Sequence, residues 1–218
     1  MKRRFAAVLG TLVLAAPLLA GRSSRSASGT IEGRVVVAPR PPVRVANPYA
    51  GLGAASRTLA PVPMVAYLEG TSAGRATPPA AHPALAQRDT AFSPGLVVVP
   101  VGTTVDFTNR DGFFHNVFSY SPAKRFDLGR YPRGESRPVT FDRAGAVKVF
   151  CEIHRWMRAG VVVVENEHHV QVRADGGFTL RDVPEGSYRL SVWDFDRGVK
   201  SVSVTVPGGG TARVDVRF

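Results

Sequence analysis

From residue 28 onward, short valine-rich runs recur along the chain, and most of them alternate apolar and polar positions. They include IEGRVVV (31–37), PMVAYLE (63–69), GLVVVPV (95–101), TTVDFTN (103–109), AVKVFCE (146–152) and GVVVVE (160–165). HHVQVRA (168–174), GGFTLRD (176–182), SYRLSVWD (187–194), KSVSVTV (200–206) and ARVDVRF (212–218) continue the series. The runs are rich in valine and are bounded by Gly, Pro, Asp and Asn, the pattern of strands with one buried face. No stretch after the N-terminal segment sustains a helical period. Many short strands at regular spacing predict an all-β chain built from β-sandwiches. Ala, Pro and Gly crowd 38–63 and 71–83. The first reads as a long surface excursion, and TSAGRATPPAAHP in the second reads as an interdomain connector.

The N-terminus breaks the strand pattern. Lys2, Arg3 and Arg4 precede an apolar run over 5–20, which gives way to GRSSRSASG. That is the layout of a cleaved secretory signal, expected to occupy 1–27, with an uncleaved membrane anchor as the rival reading. The stretch Leu18–Gly21 resembles a bacterial lipoprotein signal, but Arg22 stands where the lipid-bearing cysteine would be. The expectation is a periplasmic or secreted protein with no stable membrane insertion after cleavage.

Charge narrows the partners. The chain carries a formal net charge of +11, and five basic residues (Lys2, Arg3, Arg4, Arg22, Arg25) lie in the first 27 positions with no acid, leaving +6 for the mature protein. A modestly basic surface favours acidic partners. The basic residues are interleaved with acids and form no recognition helix, so no nucleic acid is expected as a partner.

The chemistry concentrates in one loop. Cys151, His154 and Met157 stand three apart in FCEIHRWM, and His115 lies upstream in FFHNVF. Cys151 is the only cysteine, and Met157 is one of two methionines beyond Met1. An exported chain with one cysteine cannot form an internal disulfide, and metal ligation is one way to occupy the thiol. A buried inert cysteine and an intermolecular disulfide are the alternatives. Two imidazoles, a thiolate and a thioether are the ligand set of a type-1 copper centre, whose geometry suits both oxidation states about equally. AVKVF reads as a strand ending near Cys151 and 159–165 as the next strand, so 152–158 forms a tight loop that can present three of the four donors together.

The segments FSPGLVVVPVGTTVDFTNRDGFFHNV and FDRAGAVKVFCEIHRWMRAGVVVV resemble the cupredoxins, of the plastocyanin and amicyanin type, over 84–166. The resemblance implies a Greek-key β-sandwich that binds one type-1 copper ion. It implies that His115, Cys151 and His154 are equatorial ligands and Met157 the axial one. Asn116 matches the family's asparagine, whose hydrogen bonds tie the two ligand-bearing segments together. Arg155 departs from the family pattern and is expected to set a positive charge near the metal, favouring the reduced state. Trp156, also a departure, is expected to shield the site.

The remaining polar residues have plainer readings. His82 reads as a solvated loop residue, and His168 and His169 as surface residues at a domain junction. Asp106, Asp111, Asp127 and Asp142 read as turn and strand positions explained by solvation or turn hydrogen bonding. Trp193 reads as core or interface.

The tail has a second likeness. DGGFTL followed by PEGSYRLSV (175–192) resembles the carboxypeptidase regulatory-like, transthyretin-type β-sandwich. The strands of 168–218 are too few for that fold alone, and GTIEGRVVV and PMVAYLEG fit its first strands. The expected layout is a smaller, discontinuous sandwich of 29–70 and 168–218, with 71–83 as connector and the cupredoxin over 84–166 inserted. The rival layout gives the N-terminal strands to the cupredoxin.

No nucleophile elbow, zinc-protease helix or phosphate loop is present in the sequence, and no enzyme is expected. The expected function is single-electron transfer between a redox protein donor and acceptor, acidic-surfaced proteins such as a c-type cytochrome or a dehydrogenase. The alternatives are a carrier delivering Cu(I), or a β-sandwich binding or adhesion module with a secondary copper site.

Overall fold

The computed structural model describes residues 27–46 and 56–218, so the expected signal segment lies outside the described residues but for Ala27. Every regular element among the described residues is a strand. The N-terminal part contributes β1 (Ser28–Val36), β2 (Arg44–Val45), β3 (Arg57–Thr58) and β4 (Val65–Leu68). The middle contributes β5 (Ala86–Arg88), β6 (Ala91–Ser93), β7 (Leu96–Pro100), β8 (Thr103–Thr108), β9 (His115–Ser121), β10 (Lys124–Tyr131), β11 (Ser136–Phe141), β12 (Gly145–Phe150) and β13 (Arg158–Val164). The tail contributes β14 (His169–Gln171), β15 (Gly177–Pro184), β16 (Gly186–Asp194), β17 (Gly198–Val206) and β18 (Thr211–Arg217).

The middle strands form a sheet in the order β10-β9-β12-β13-β7, facing the β11-β8 ladder and the β5-β6 hairpin. Their inward side chains, among them Val99, Val105, Phe107, Val117, Phe141, Val147, Val149, Val161 and Val163, make one core. The second sandwich sets β15-β1-β18 against β14-β4-β16-β17, with Ile31, Leu68, Phe178, Leu190, Val206 and Val216 between them. Its first strands come from far upstream. β1 pairs antiparallel with β15 and parallel with β18, and β4 pairs with β14 and β16. The strands of 84–166 are therefore bracketed in sequence by strands of the other sandwich.

A third apolar layer explains why some strands do not alternate. Val65, Tyr67, Val162, Val164, Trp193 and Phe195 pack together, with Phe150 at their edge. Val161 and Val163 of β13 point into one core and Val162 and Val164 into this layer, so β13 is buried on both faces and reads as a continuous apolar run. β4 divides its residues the same way. A side chain at Gly160 would collide with the Trp193 ring, which fixes a glycine where the two sandwiches meet.

The hairpin β9-β10 and the strand β11 extend beyond what hydrophobic alternation predicts. KRFDLGRY places its charges outward and contains Gly129, and Pro138 interrupts β11, which pairs only with β8. His168 and His169 are half-buried rather than surface residues, because β14 lies against Tyr67 of β4.

Candidate metal centre

Two chain connections meet at one end of the larger sandwich. The first joins β8 to β9. Asn109 closes it by donating its side-chain N–H to the carbonyls of Phe113 (2.8 Å) and Tyr131 (3.0 Å), while its Oδ1 accepts from the N–H of Asp111 (2.9 Å). This turn delivers His115 as the first residue of β9, opposite Tyr131 of β10. The second connection joins β12 to β13. Phe150 pairs with Arg158 across its base, and the N–H of Met157 donates to the His154 carbonyl (2.8 Å). Cys151, His154 and Met157 all lie on that short closed loop.

The donors converge. Cys151 Sγ lies 3.7 Å from His115 Nδ1 and 4.0 Å from His154 Nδ1, and the two Nδ1 atoms are 3.1 Å apart. All three side chains are buried, and their candidate ligand atoms lie within 4.8 Å of one another. Met157 is buried in the same core cluster as Cys151 and Trp156. Buried nitrogens this close, beside a sulfur, form a soft donor set of the kind that holds copper or zinc.

Electrostatics ready Cys151 and His154 for a metal and favour a proton on His115. Burial alone would push the Cys151 thiol up, but a hydrogen bond from His115 and backbone N–H groups of Asn116, His154 and Ile153 outweigh it and hold the thiol below its ordinary value. Burial works against charge on His115 too, yet its bonds to Cys151 and Asp111 raise that imidazole. His154 is lowered, first by burial and then by the positive charges of His115 and Arg57. A neutral His154 keeps its lone pair available.

Asp111 takes part in turn hydrogen bonding, as one of its two readings has it, but it is not solvated and it also bonds His115. It is buried, and its Oδ2 accepts from His115 Nε2 at 2.7 Å. It also accepts from the N–H groups of Asp89 (2.6 Å) and Thr90 (3.0 Å), and these bonds hold the carboxyl below its usual range despite burial. The carboxylate holds a proton on Nε2, which leaves Nδ1 as the ring nitrogen a metal would take, in place of the proton it donates toward Cys151.

Asn116 also differs from its expected part. Its side-chain amide donates to Asp127 Oδ1 (2.6 Å) on β10, and it is the backbone N–H that faces the Cys151 sulfur. Trp156 packs edge-on against His154 at 5.2 Å and donates its indole N–H to the Thr90 carbonyl (3.0 Å), covering one side of the cluster. Phe113 lies 5.1 Å from His115 and 5.3 Å from His154, and with Phe114 it is exposed beside them. Arg155 is exposed, and the cation whose field reaches His154 is Arg57. His82 stands apart from the cluster, with its Nδ1 3.2 Å from Asp106 Oδ1.

Comparison with known proteins agrees with this geometry. Residues 83–165 match the family of copper binding proteins, plastocyanin/azurin family, and residues 152–217 match the ER membrane protein complex subunit 7, beta-sandwich domain. Similar solved structures include a purple cupredoxin from Nitrosopumilus maritimus, 27% identical over 37% of this chain and 98% of that one, with a TM-score of 0.34. Amicyanin from Paracoccus versutus is 25% identical over 39% of this chain and 83% of its own, with a TM-score of 0.36. A copper-containing nitrite reductase from Thermus scotoductus SA-01 is 22% identical over 61% of this chain and 28% of its own, with a TM-score of 0.38. No curated protein matches the chain. With a plastocyanin/azurin-family segment at 83–165 and a His-Cys-His cluster inside it, the chain is similar to copper-binding cupredoxins, joined to a second β-sandwich.

Proposed function

We propose that this chain is an exported, periplasmic or secreted, mononuclear blue-copper protein that carries single electrons between redox partner proteins. The observation that carries the reading is the convergence of Cys151 Sγ, His115 Nδ1 and His154 Nδ1 in one buried cluster. Copper held there would supply a one-electron couple. Cys151 offers a thiolate at a depressed pKa, His154 offers a neutral nitrogen, and His115, whose proton the Cys151 and Asp111 bonds favour, would give up the one on Nδ1 to the metal. Met157, buried on the same loop, would be the fourth residue to hold the ion in this reading. Asp111 orients His115, and Trp156 and Phe113 exclude water from the flanks of the cluster. Because His115 and the ligand loop are anchored to paired strands, the scaffold would hold the donors in place whichever oxidation state the ion had. The basic N-terminus followed by an apolar run supports export, and the basic surface supports acidic-surfaced redox partners.

Addition of Cu(II) to the purified chain tests this directly. The expected result is intense visible thiolate-to-copper absorption that is lost in Cys151→Ser, together with a reversible one-electron wave in voltammetry. Tight Cu(I) binding without that absorption indicates a copper carrier instead. Absence of copper binding leaves the β-sandwich binding module.

A further inference from the structure

Part of the chain upstream of the copper-binding family match reaches the ligand loop. Segment 56–60 belongs to the Ala/Pro/Gly-rich excursion, yet it is fixed at both ends. The N–H of Leu59 donates to the Val43 carbonyl (2.9 Å), and Arg44 Nε donates to Ser56 Oγ (2.8 Å). Its other side lies along the metal centre. Leu59 packs onto the core cluster containing Trp156 and Met157, and the Ala60 carbonyl accepts from Arg158 Nε (2.9 Å).

Arg57 makes the most direct contact. Its guanidinium lies 5.1 Å from the centroid of the Trp156 ring and donates to Thr90 Oγ1 at 2.7 Å. Thr90 also accepts the Trp156 indole N–H through its carbonyl, and its own N–H donates to Asp111. Asp89 and Thr90 have φ of 55° and 57°, the left-handed region that a two-residue hairpin turn of this kind requires. Such a φ is unfavourable for a β-branched threonine, so the contacts of Thr90 hold it there. Arg57 has no carboxylate partner among the described residues, and 1–26 and 47–55 contain no Asp or Glu to provide one.

We propose that Arg57 is a positioning residue for the metal centre: it clamps Trp156 between its guanidinium and the Asp89–Thr90 turn, holding the indole against His154, and contributes an uncompensated positive charge that favours the reduced, less positive ion. The charge component rests on the copper reading above, whereas the clamp on Trp156 is independent of it. The physical basis of the clamp is a cation over an indole face. A positive charge near a metal stabilises the state of lower charge, and because Arg57 is exposed the effect weakens with salt.

Arg57→Lys, Arg57→Gln and Arg57→Glu test both components. In the metal-free protein, hydrogen exchange of the Trp156 indole N–H is followed by NMR. In the copper-loaded protein, the midpoint potential is measured at low and high ionic strength. Arg57→Gln is expected to speed indole exchange several-fold and to lower the potential. Arg57→Glu should lower the potential about twice as far, since it reverses a charge rather than removing one. Arg57→Lys should hold the potential near that of the native chain while leaving exchange faster, because an ammonium lacks the planar stack. The potential shifts should shrink at high salt. An unchanged indole exchange rate in Arg57→Gln, or equal potentials for the native, Gln and Glu forms at low salt, overturns the proposal. If no blue copper species forms, the electron-carrier reading fails by its own test, and the clamp is judged by indole exchange alone.

Discussion

Asp111→Asn is a nearly isosteric change that removes the charge of the carboxylate bonded to His115. The carboxylate accepts three N–H groups, from Asp89, Thr90 and His115 Nε2. Asp89 donates to Oδ1, whereas Thr90 and His115 share Oδ2. An asparagine oxygen at Oδ1 keeps Asp89 and turns the NH2 on Thr90 and His115, so the imidazole loses its bond or shifts its proton to Nδ1, the atom aimed at Cys151 and His154. An oxygen at Oδ2 turns the NH2 on the Asp89 N–H and leaves His115 a neutral acceptor in place of a charged one. Losing a hydrogen bond to a charged group costs about 1.5–3 kcal/mol. Removing the partner of a ligating histidine independently costs about 10–100-fold in metal affinity, which corresponds to about 1.4–2.8 kcal/mol. The two figures agree, so copper affinity should weaken by about 10–100-fold. Competition against a chromophoric Cu(I) chelator measures it. Denaturant unfolding of the metal-free proteins separates this from general destabilisation, with Asp111→Ala as the control that also frees the turn. Asp111→Asn should unfold closer to the native protein than Asp111→Ala does, yet lose comparable copper affinity. An Asn variant that binds copper within about threefold of the native chain, well short of the expected loss, would refute the orienting role of the carboxylate.

Two further outcomes concern the scaffold. Gly160→Ala places a methyl group against the Trp193 ring in the layer between the sandwiches, and overpacking there should destabilise the fold by about 1–3 kcal/mol in a urea melt; an unchanged midpoint would show that the layer yields freely. His169 is held below its ordinary pKa, first by burial, so the folded chain binds its proton less readily than the unfolded chain. That contribution to stability is complete above about pH 6.5 and is lost as pH falls below it toward the folded value. Between about pH 7.5 and 5.5, on either side of that value, the metal-free native protein should therefore lose more stability than His169→Gln, and parallel losses would refute the assignment.

The donor set is legible in the sequence because its residue types are scarce. One cysteine with a histidine and a methionine at fixed spacing, and a histidine opening a strand, leave few other arrangements. The residues that tune the cluster are not legible in the same way. Asp111 occupies a turn where an aspartate needs no special reason, and only the fold shows that its carboxylate is buried against His115. Arg57 lies in an excursion without periodicity, and nothing local says that β3 pairs back onto β2 and lies along the ligand loop. Arg155 is adjacent to His154 in sequence and draws the eye for that reason, but neighbours on a tight loop point different ways and its side chain is exposed. Periodicity locates strands well where one face is apolar. It fails at β10, where a register shift between Asp127 and Arg130 leaves Gly129 and Arg130 exposed in succession and breaks the alternation.

The second sandwich bears on the site through packing rather than through ligands. Phe150 immediately precedes Cys151, and its ring lies 5.6 Å from Phe195, which in turn lies 5.8 Å from Trp193. Arg158, across the base of the ligand loop from Phe150, bonds Asp196 at 2.7 Å and lies over the Phe195 ring. Both strand ends that carry the loop are thus held from outside the larger sandwich, by residues just beyond β16. A loop with three candidate donors needs its two ends fixed relative to each other, because a small change in strand separation alters every donor distance. The buried aromatic layer resists that change at the point where the loop departs from β12, and the Arg158 ion pair resists it where the loop returns to β13.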